Sequence, residues 1–333
     1  MSIHRVLLIY HAVRACIAAE ETEKQLRQRG YDVRRISSAD KMALKHAATQ
    51  PISDIEFPHS SDAHLSQKHK LSVTPIQASG RALASQTTDS PAQFDLVLAL
   101  GGDGTILSAA ACARYWDIPL LGLNMGHMGF LAEESQENVA DLVDRISDGH
   151  FLIDTRMTLE VNVYTPDGHI HHDWALNEAV LTHTDDTHPV DMVLAVDGQD
   201  VSTYGADGMI LATPTGSTAY SFSAGGPVVW PDTEAIIMAP LAAHGLFTRP
   251  LVVGPSSRIE VSVLESARTD AVVWCDGLRA IAAPIGSTMA VSVGTRSVHL
   301  IRLDDTPFST RLVHKFRLPV RGWRHNDNRG NSQ

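Results

Sequence analysis

Two domains are predicted for this chain of 333 residues: a doubly wound α/β domain with a mostly parallel sheet, then a β-rich, sandwich-like domain. Three observations predict them. The length is roughly twice a typical domain of about 150 residues. The N-terminal half alternates short apolar runs with stretches of helical period, the pattern of βα units. Beyond about residue 155 that pattern gives way to short alternating strands separated by DG and PS turns. The expected boundaries are 1–154 for the α/β domain, 155–295 for the β-rich domain and 296–333 for a tail that packs back on the first domain and frays at its extreme end.

RVLLIY opens the chain as a buried strand, and ACIAAEETEKQLRQRGY follows as a helix closed by Gly30. YDVRRIS is the next strand. Residues 51–93 are polar, rich in Ser, Thr, His and Gln, and are expected to form a mobile excursion. FDLVLAL (94–100) is a strand that runs into GGDGT and then into the small-residue helix ILSAAACARYW. IPLLGLN (118–124) and ENVADLVDRISDG (137–149) repeat the strand and helix. MTLEVNVYTPDGHI, VDMVLAVDGQDVSTYGADGMILAT, SSRIEVSVLESARTDAVVWCDG, IAAPIGSTMAVSVG and SVHLIRL supply the later strands.

Composition narrows the function. With 27 basic and 38 acidic residues the net charge is −11, a poor surface for nucleic acid or anionic membrane. No apolar run approaches the ~18 residues that cross a bilayer, and the apolar start of SIHRVLLIY is too short for a signal sequence. Cys16, Cys112 and Cys275 are odd in number and far apart, which fits a reducing cytoplasm. No lysine lies between Lys70 and Lys315 and no GK[ST] occurs, so a P-loop is excluded. Phosphate chemistry in that interval falls to backbone N–H groups, arginine, hydroxyls or metal ions.

The sharpest local signal is Gly101-Gly102-Asp103-Gly104-Thr105, at the carboxyl end of a strand and the start of a helix. Glycines let a ligand approach the backbone, and helix N–H groups attract phosphate. Asp103 would repel that phosphate unless it meets a hydroxyl, a metal or a transferred proton, which points to phosphoryl transfer; capping of the helix by Asp103 and Thr105 is the plainer alternative. Asn124-Met125-Gly126-His127-Met128-Gly129-Phe130 follows the next strand, and Phe130 either stacks on a ring or plugs the interdomain core. Asn177-Glu178 interrupts an apolar run, costly if buried without partners. Tyr204-Gly205-Ala206-Asp207-Gly208 and the hydroxyl-rich Thr213-Pro214-Thr215-Gly216-Ser217-Thr218-Ala219-Tyr220 suggest a nucleoside pocket; Cys275-Asp276-Gly277 is weaker, since DG also marks hairpin turns. HIHHD (169–173) alternates across a strand and is not read as a metal site. Arg311, Lys315, Arg317, Arg321 and Arg324 form a basic cluster, read as a solvated or interdomain face with phosphate or partner contact as the alternative.

GGDGT (101–105), NMGHMGF (124–130), ALNEAV (175–180), YGADGMILATPTGSTAYSFSAGGPVVWP (204–231) and CDG (275–277) together resemble the NAD kinase family, over about residues 94–318. The tail LVHKFRLPVRGW is similar to actinobacterial members. The resemblance implies transfer of the terminal phosphoryl group of ATP, or of inorganic polyphosphate, to the 2′-hydroxyl of the adenosine ribose of NAD, giving NADP. Asp103 would then orient or deprotonate the hydroxyl, with the donor phosphates over Gly101, Gly102, Gly104 and Thr105. NAD would be bound by Gly104, Leu107, Phe130, Asn177, Glu178, Thr218, Ala219, Tyr220, Ser223 and Asp276, with Asp207 at the nicotinamide end, from a neighbouring subunit or the same one. The resemblance also implies Mg²⁺ or Mn²⁺ on the donor phosphates, a homodimer or homotetramer, and no nucleic-acid or membrane partner. GGDGT alone is shared with lipid kinases, and a non-catalytic NAD(P) sensor is a further alternative; neither an apolar groove nor a membrane-facing basic patch favours the former.

Overall fold

The computed structural model describes residues 3–48, 94–124, 129–133, 138–185, 188–245 and 247–320. The predicted βα units are there: β1 (Arg5–Tyr10), α1 (Cys16–Gln28), β2 (Asp32–Ser37), then β3 (Leu96–Leu100), α3 (Asp103–Trp116), β4 (Leu120–Leu123) and α4 (Val139–Ser147), joined by two elements the sequence reading did not include, α2 (Lys41–Ala48) and β5 (Leu152–Arg156). The later strands are β6 (Leu159–Tyr164), β7 (Ile170–Ala175), β8 (Glu178–His183), β9 (Val190–Val196), β10 (Gln199–Ala206) and β11 (Gly208–Ala212). After the short α5 (Tyr220–Ser223) come β12 (Ile236–Leu241), β13 (Leu251–Val253), β14 (Ile259–Val263), β15 (Ala271–Cys275), β16 (Arg279–Ala283) and β17 (Thr288–Val293). β18 (Val298–Arg302) and α6 (Phe308–Phe316) close the described chain. The polar stretch 51–93 and the residues beyond 320, Arg321 and Arg324 included, lie outside the described residues.

The first sheet has the order β2-β1-β3-β4-β18-β5, parallel except for β5 at one edge. Alternation along each strand supplies both faces. Leu7, Ile9, Val97 and Ala99 face Ile106 and Ala110 of α3, while Leu8, Leu96, Leu98 and Leu100 face Leu26 of α1 and Leu142 of α4. Helices on both faces explain why LVLAL of β3 is buried throughout. Gly30, at φ +90°, follows α1 as expected. From β1 the chain winds to β2 on one side and returns to β3 on the other, so the strand order reverses between β1 and β3. Open α/β sheets bind ligands in the crevice at such a reversal.

The remaining strands form two antiparallel sheets, β10-β9-β14-β17-β6-β7 and β13-β12-β11-β8-β15-β16. Their core holds Val161, Met192, Leu194 and Met289 from the first against Leu181, Leu211, Met238 and Val273 from the second. The second sheet is apolar on its other face too, where Val180, Ile210 and Ile237 lie under Ala224 and Val229. Polar Asn177 and Glu178 therefore begin a strand buried on both sides. The two domains meet where Leu176 joins the cluster of Ile106 and Leu107, and where the guanidinium groups of Arg114 (4.7 Å) and Arg279 (4.8 Å) lie over the Trp174 ring.

Candidate functional site

GGDGT occupies the turn from β3 into α3, beside the strand reversal. The backbone N–H of His11, just past β1, donates to Leu100 O at 2.9 Å, which draws the two loops together. Gly102 precedes α3 as its N-cap and makes no side-chain cap, while Asp103 is the first helical residue. A Cβ placed on Gly102 or Gly104 would meet nothing within 4 Å, and both residues are exposed. Gly101 and Thr105 are buried, with Thr105 packed where a Cβ on Gly101 would stand.

The Asp103 carboxylate is held from the facing segment 129–133. Phe130 N–H donates to Oδ2 (3.3 Å) and Leu131 N–H to Oδ1 (3.2 Å). Asp103 thus does not cap its helix through a side-chain bond; its carboxylate is held by backbone N–H groups of the facing loop. A Cβ on Gly129 would collide with this carboxylate, so glycine is required there by close approach rather than by a turn. Gly129→Ala is expected to lower kcat by about tenfold or more through displacement of Asp103, with the circular-dichroism spectrum unchanged. Kinetics of the purified variant check this, and an unaltered kcat refutes it.

Phe130 is buried against α6. Its ring lies 5.8 Å from Phe308 and 5.7 Å from Phe316, and Phe316 in turn lies 4.5 Å from Phe222. This aromatic chain ties the Asp103 segment to the hydroxyl-rich loop. Residues 125–128 of the same motif, His127 among them, lie outside the described residues.

The second cluster forms around the start of β8. Thr213 N donates to Asn177 O (2.9 Å), Thr213 Oγ1 donates to Leu176 O (2.6 Å), and Gly216 N donates to Thr213 Oγ1 (3.1 Å). A Cβ on Gly216 would strike the Asn177 backbone. Asp276 accepts from Leu176 N (3.0 Å) and Asn177 N (2.7 Å) and pairs with Arg279 (3.3 Å). It fixes the backbone that carries Asn177 rather than facing an open pocket.

Glu178 has fewer partners. Oε2 is buried with no hydrogen-bond partner, and the hydrogen bond from the Tyr220 backbone is its opposing stabilisation. Burial, and then the charge of Asp276, push its carboxyl up to about 8. Burial pushes the Asp276 carboxyl up as well, against the charge of Arg279 and the Leu176 and Asn177 N–H donors.

The structure thus brings together Asn177, Glu178, Tyr220 and Asp276, and separately Asp103, Gly104 and Phe130, with the aromatic chain between. Thr218 and Ala219 are half-buried on the same loop, whereas Ser223 is exposed. Leu107 is buried against Leu176, behind the site. Asp207 stands apart: β8 and β11 pair Glu178 with Ala212 and Thr182 with Gly208. At about 3.3 Å per residue, Asp207 lies roughly 16 Å from Glu178 along the sheet. Arg249 is exposed, as are His169, His171 and His172. Arg311, read as part of a solvated or interdomain basic face, is buried against Glu133 and the Ala132 carbonyl of the first domain.

Several residues at this site escaped the sequence reading: Glu133, Asp154, Arg156 and Arg302. Arg302 pairs with Glu133 (2.7 Å) and Asp154 (2.9 Å), and Asp154 pairs with Arg156 (2.6 Å). Burial would raise the Asp154 carboxyl, but the hydrogen bond and charge of Arg156, with Arg302, outweigh it and hold Asp154 down at about 2. A lone arginine in an apolar strand, as in VHLIR, is the available signal.

Comparison with known proteins accounts for both halves of this arrangement. The family described as ATP-NAD kinase N-terminal domain matches residues 6–151, and the ATP-NAD kinase C-terminal domain matches 176–303. The NAD kinase of Corynebacterium diphtheriae is 43% identical over 327 residues, covering 96% of this chain and 93% of its own. That of Leifsonia xyli is 45% identical, covering 78% and 84% respectively. Among solved structures, yeast NADH kinase complexed with NADH superposes with a TM-score of 0.72 at 21% identity, covering 97% of this chain and 90% of its own. An Archaeoglobus fulgidus NAD kinase in complex with ATP gives 0.63 at 23% identity, covering 94% and 98%. At those identities the two structures speak for the fold, while the family matches and the actinobacterial relatives speak for the lineage. This chain belongs to the ATP-NAD kinase family.

Proposed function

We propose that the chain transfers the terminal phosphoryl group of ATP, or of inorganic polyphosphate, to the 2′-hydroxyl of the adenosine ribose of NAD, forming NADP. The observation that carries this reading is the Asp103 carboxylate, seated by two backbone donors beside an open glycine turn at the strand reversal. A ribose hydroxyl is a weak nucleophile. A carboxylate within hydrogen-bond reach orients it and accepts its proton as the new O–P bond forms. Most of the acceleration comes from alignment and from neutralising charge on the moving group.

Asn177, Glu178, Thr218, Ala219, Tyr220 and Ser223 bind the adenosine portion, with Gly104 and Phe130 at its ribose edge. Leu107 and Asp276 support them from behind. Asp207, far from Glu178 in its own chain, serves the nicotinamide end across a contact between copies of a homodimer or homotetramer. The glycine turn takes the donor phosphates on the Gly101, Gly102, Gly104 and Thr105 backbone.

Among the described residues no group of three or more His, Cys, Asp or Glu side chains is placed to hold a metal ion. Bound Mg²⁺ or Mn²⁺ would be held with the donor phosphates at the glycine turn and would supply charge neutralisation there. All three cysteines are free, consistent with a reducing cytoplasm. No described helix is long and apolar enough to cross a membrane.

Product analysis tests the reading. Purified protein is incubated with NAD, Mg²⁺ and either ATP or polyphosphate, and the expected product is NAD carrying a phosphate on the adenosine ribose. NAD binding without turnover on either donor replaces the kinase reading with that of a sensor.

A further inference from the structure

One peptide group separates Asp103 from a buried guanidinium. The N–H of the Phe130–Leu131 peptide donates to Asp103 Oδ1 at 3.2 Å, and the carbonyl of the same peptide accepts from Arg302 Nη2 at 3.3 Å. Arg302 Nη1 also donates to Leu131 O (3.2 Å) and Glu133 Oε1 (2.7 Å), and its Nε donates to Asp154 (2.9 Å). Each of the three nitrogens of this guanidinium thereby donates at least one hydrogen bond. Arg311 from α6 joins Glu133 Oε1 at 2.7 Å, and Arg156 links Asp154 to Thr215 Oγ1 at 3.1 Å.

Arg156, Arg302 and Arg311 face Glu133 and Asp154, and Asp304 adds its charge beside Arg311. Asp103 is the carboxylate to which the hydrogen-bonded chain leads. A peptide hydrogen-bonded to a cation at its oxygen is polarised, and its N–H becomes the stronger donor. Arg302 reaches the segment as a rigid fork spanning two successive carbonyls, a geometry that an ammonium group does not reproduce.

We infer that Arg302 is a positioning residue for phosphoryl transfer: through the Phe130–Leu131 peptide it fixes the Asp103 carboxylate and strengthens the N–H that holds it. This rests on the reading of Asp103 as the group that orients and deprotonates the acceptor hydroxyl. Arg311 supplies an internal control. The carbonyl it holds is that of Ala132, and the N–H of that peptide, from Glu133, donates to Gly122 O at 2.7 Å instead of to Asp103. Arg311 shares the cluster and the burial without sharing the path.

The experiment compares kcat, the KM for NAD and Tm for Arg302→Lys, Arg311→Lys, Asp103→Asn and the double variant Asp103→Asn/Arg302→Lys. Arg302→Lys is expected to lower kcat about tenfold with the KM for NAD within about twofold of the parent. Arg311→Lys is expected to lower Tm by a similar amount and to keep kcat within about twofold. On the Asp103→Asn background, Arg302→Lys is expected to cost nothing further, because the group it positions is gone. A purely structural role for Arg302 would lower Tm in both lysine variants and leave both kcat values alone. That result overturns the inference, as does a loss confined to KM or a full additional loss in the double variant. Failure of the Asp103 reading is seen separately, as near-parental kcat in Asp103→Asn alone. Should Arg302→Lys not fold, Glu133→Gln/Arg302→Gln removes one charge of each sign and leaves the net charge of the cluster unchanged. The same fall in kcat is expected there, and parental kcat in the folded double variant overturns the inference.

Discussion

Asp103→Asn is expected to lower kcat by about 10² or more at saturating NAD while leaving the protein folded. Asparagine matches aspartate in size, but it has a single acceptor oxygen where the carboxylate has two. Both carboxylate oxygens are in use, Oδ2 by Phe130 N–H and Oδ1 by Leu131 N–H. In the variant one of those N–H groups faces an amide NH₂, a loss of about 1–3 kcal/mol. That is less than the ~5–15 kcal/mol of stability of a typical domain, so the fold should persist. The catalytic loss has a different origin: an amide neither accepts the hydroxyl proton nor lends negative charge to the attacking oxygen. Pre-steady-state turnover, with the fold verified by thermal melting, separates the two effects. A kcat close to that of the parent would remove Asp103 from proton transfer and leave it a structural ligand of the 129–133 segment.

The parts of this molecule legible in its sequence are those set by neighbours in the chain. β3, the glycine turn and α3 were readable because LVLAL, GGDG and a small-residue helix each carry a local signal, and the site grew from that junction. The start of β8 was readable because Asn177 and Glu178 break an apolar run that the structure buries on both faces. β5 was not readable: LIDTR lies at a sheet edge, exposed over most of its length, so no apolar alternation marks it. The tail from 296 was expected to pack back on the first domain, but the place of β18 between β4 and β5 of its sheet was not legible, because its alternation suits either kind of sheet equally. The ion cluster was invisible for a related reason. Arg302 and Glu133 are 169 positions apart, and Arg311 and Glu133 are 178 apart. Side-chain charge alone carries no address, so Arg311 read equally well as a solvated residue. Phe130 stood between two readings because a ring that packs on Phe308 and Phe316 needs an α6 that the tail did not announce.

Glu178→Gln is expected to stabilise the protein at pH 8 and to leave it nearly unchanged at pH 5. Unfolded, this carboxyl titrates near the ordinary glutamate value; folded, burial and the charge of Asp276 push it up to about 8. Between those two values the folded state holds a proton that the unfolded state has released. Stability therefore falls with rising pH, by about 1.4 kcal/mol per unit for one proton. Below the lower value both states are protonated and the site contributes no slope; above the upper value the full penalty is present and constant. Over that interval of more than three units the penalty accumulates to roughly 3–5 kcal/mol. Glutamine cannot ionise, so it stays in the state that the wild-type side chain occupies at low pH, with similar volume and the same capacity to accept from the Tyr220 backbone. Urea midpoints of both proteins at pH 5, 6, 7 and 8 give the test: the two curves should lie together at the acid end and diverge steadily above it. Parallel curves across the range would mean that Glu178 ionises normally in the folded protein, with water or Asn177 meeting its buried oxygen. Divergence would instead establish a neutral carboxyl beside Asn177 at physiological pH, able to donate as well as accept a hydrogen bond, which suits a partner such as a ribose hydroxyl that does both.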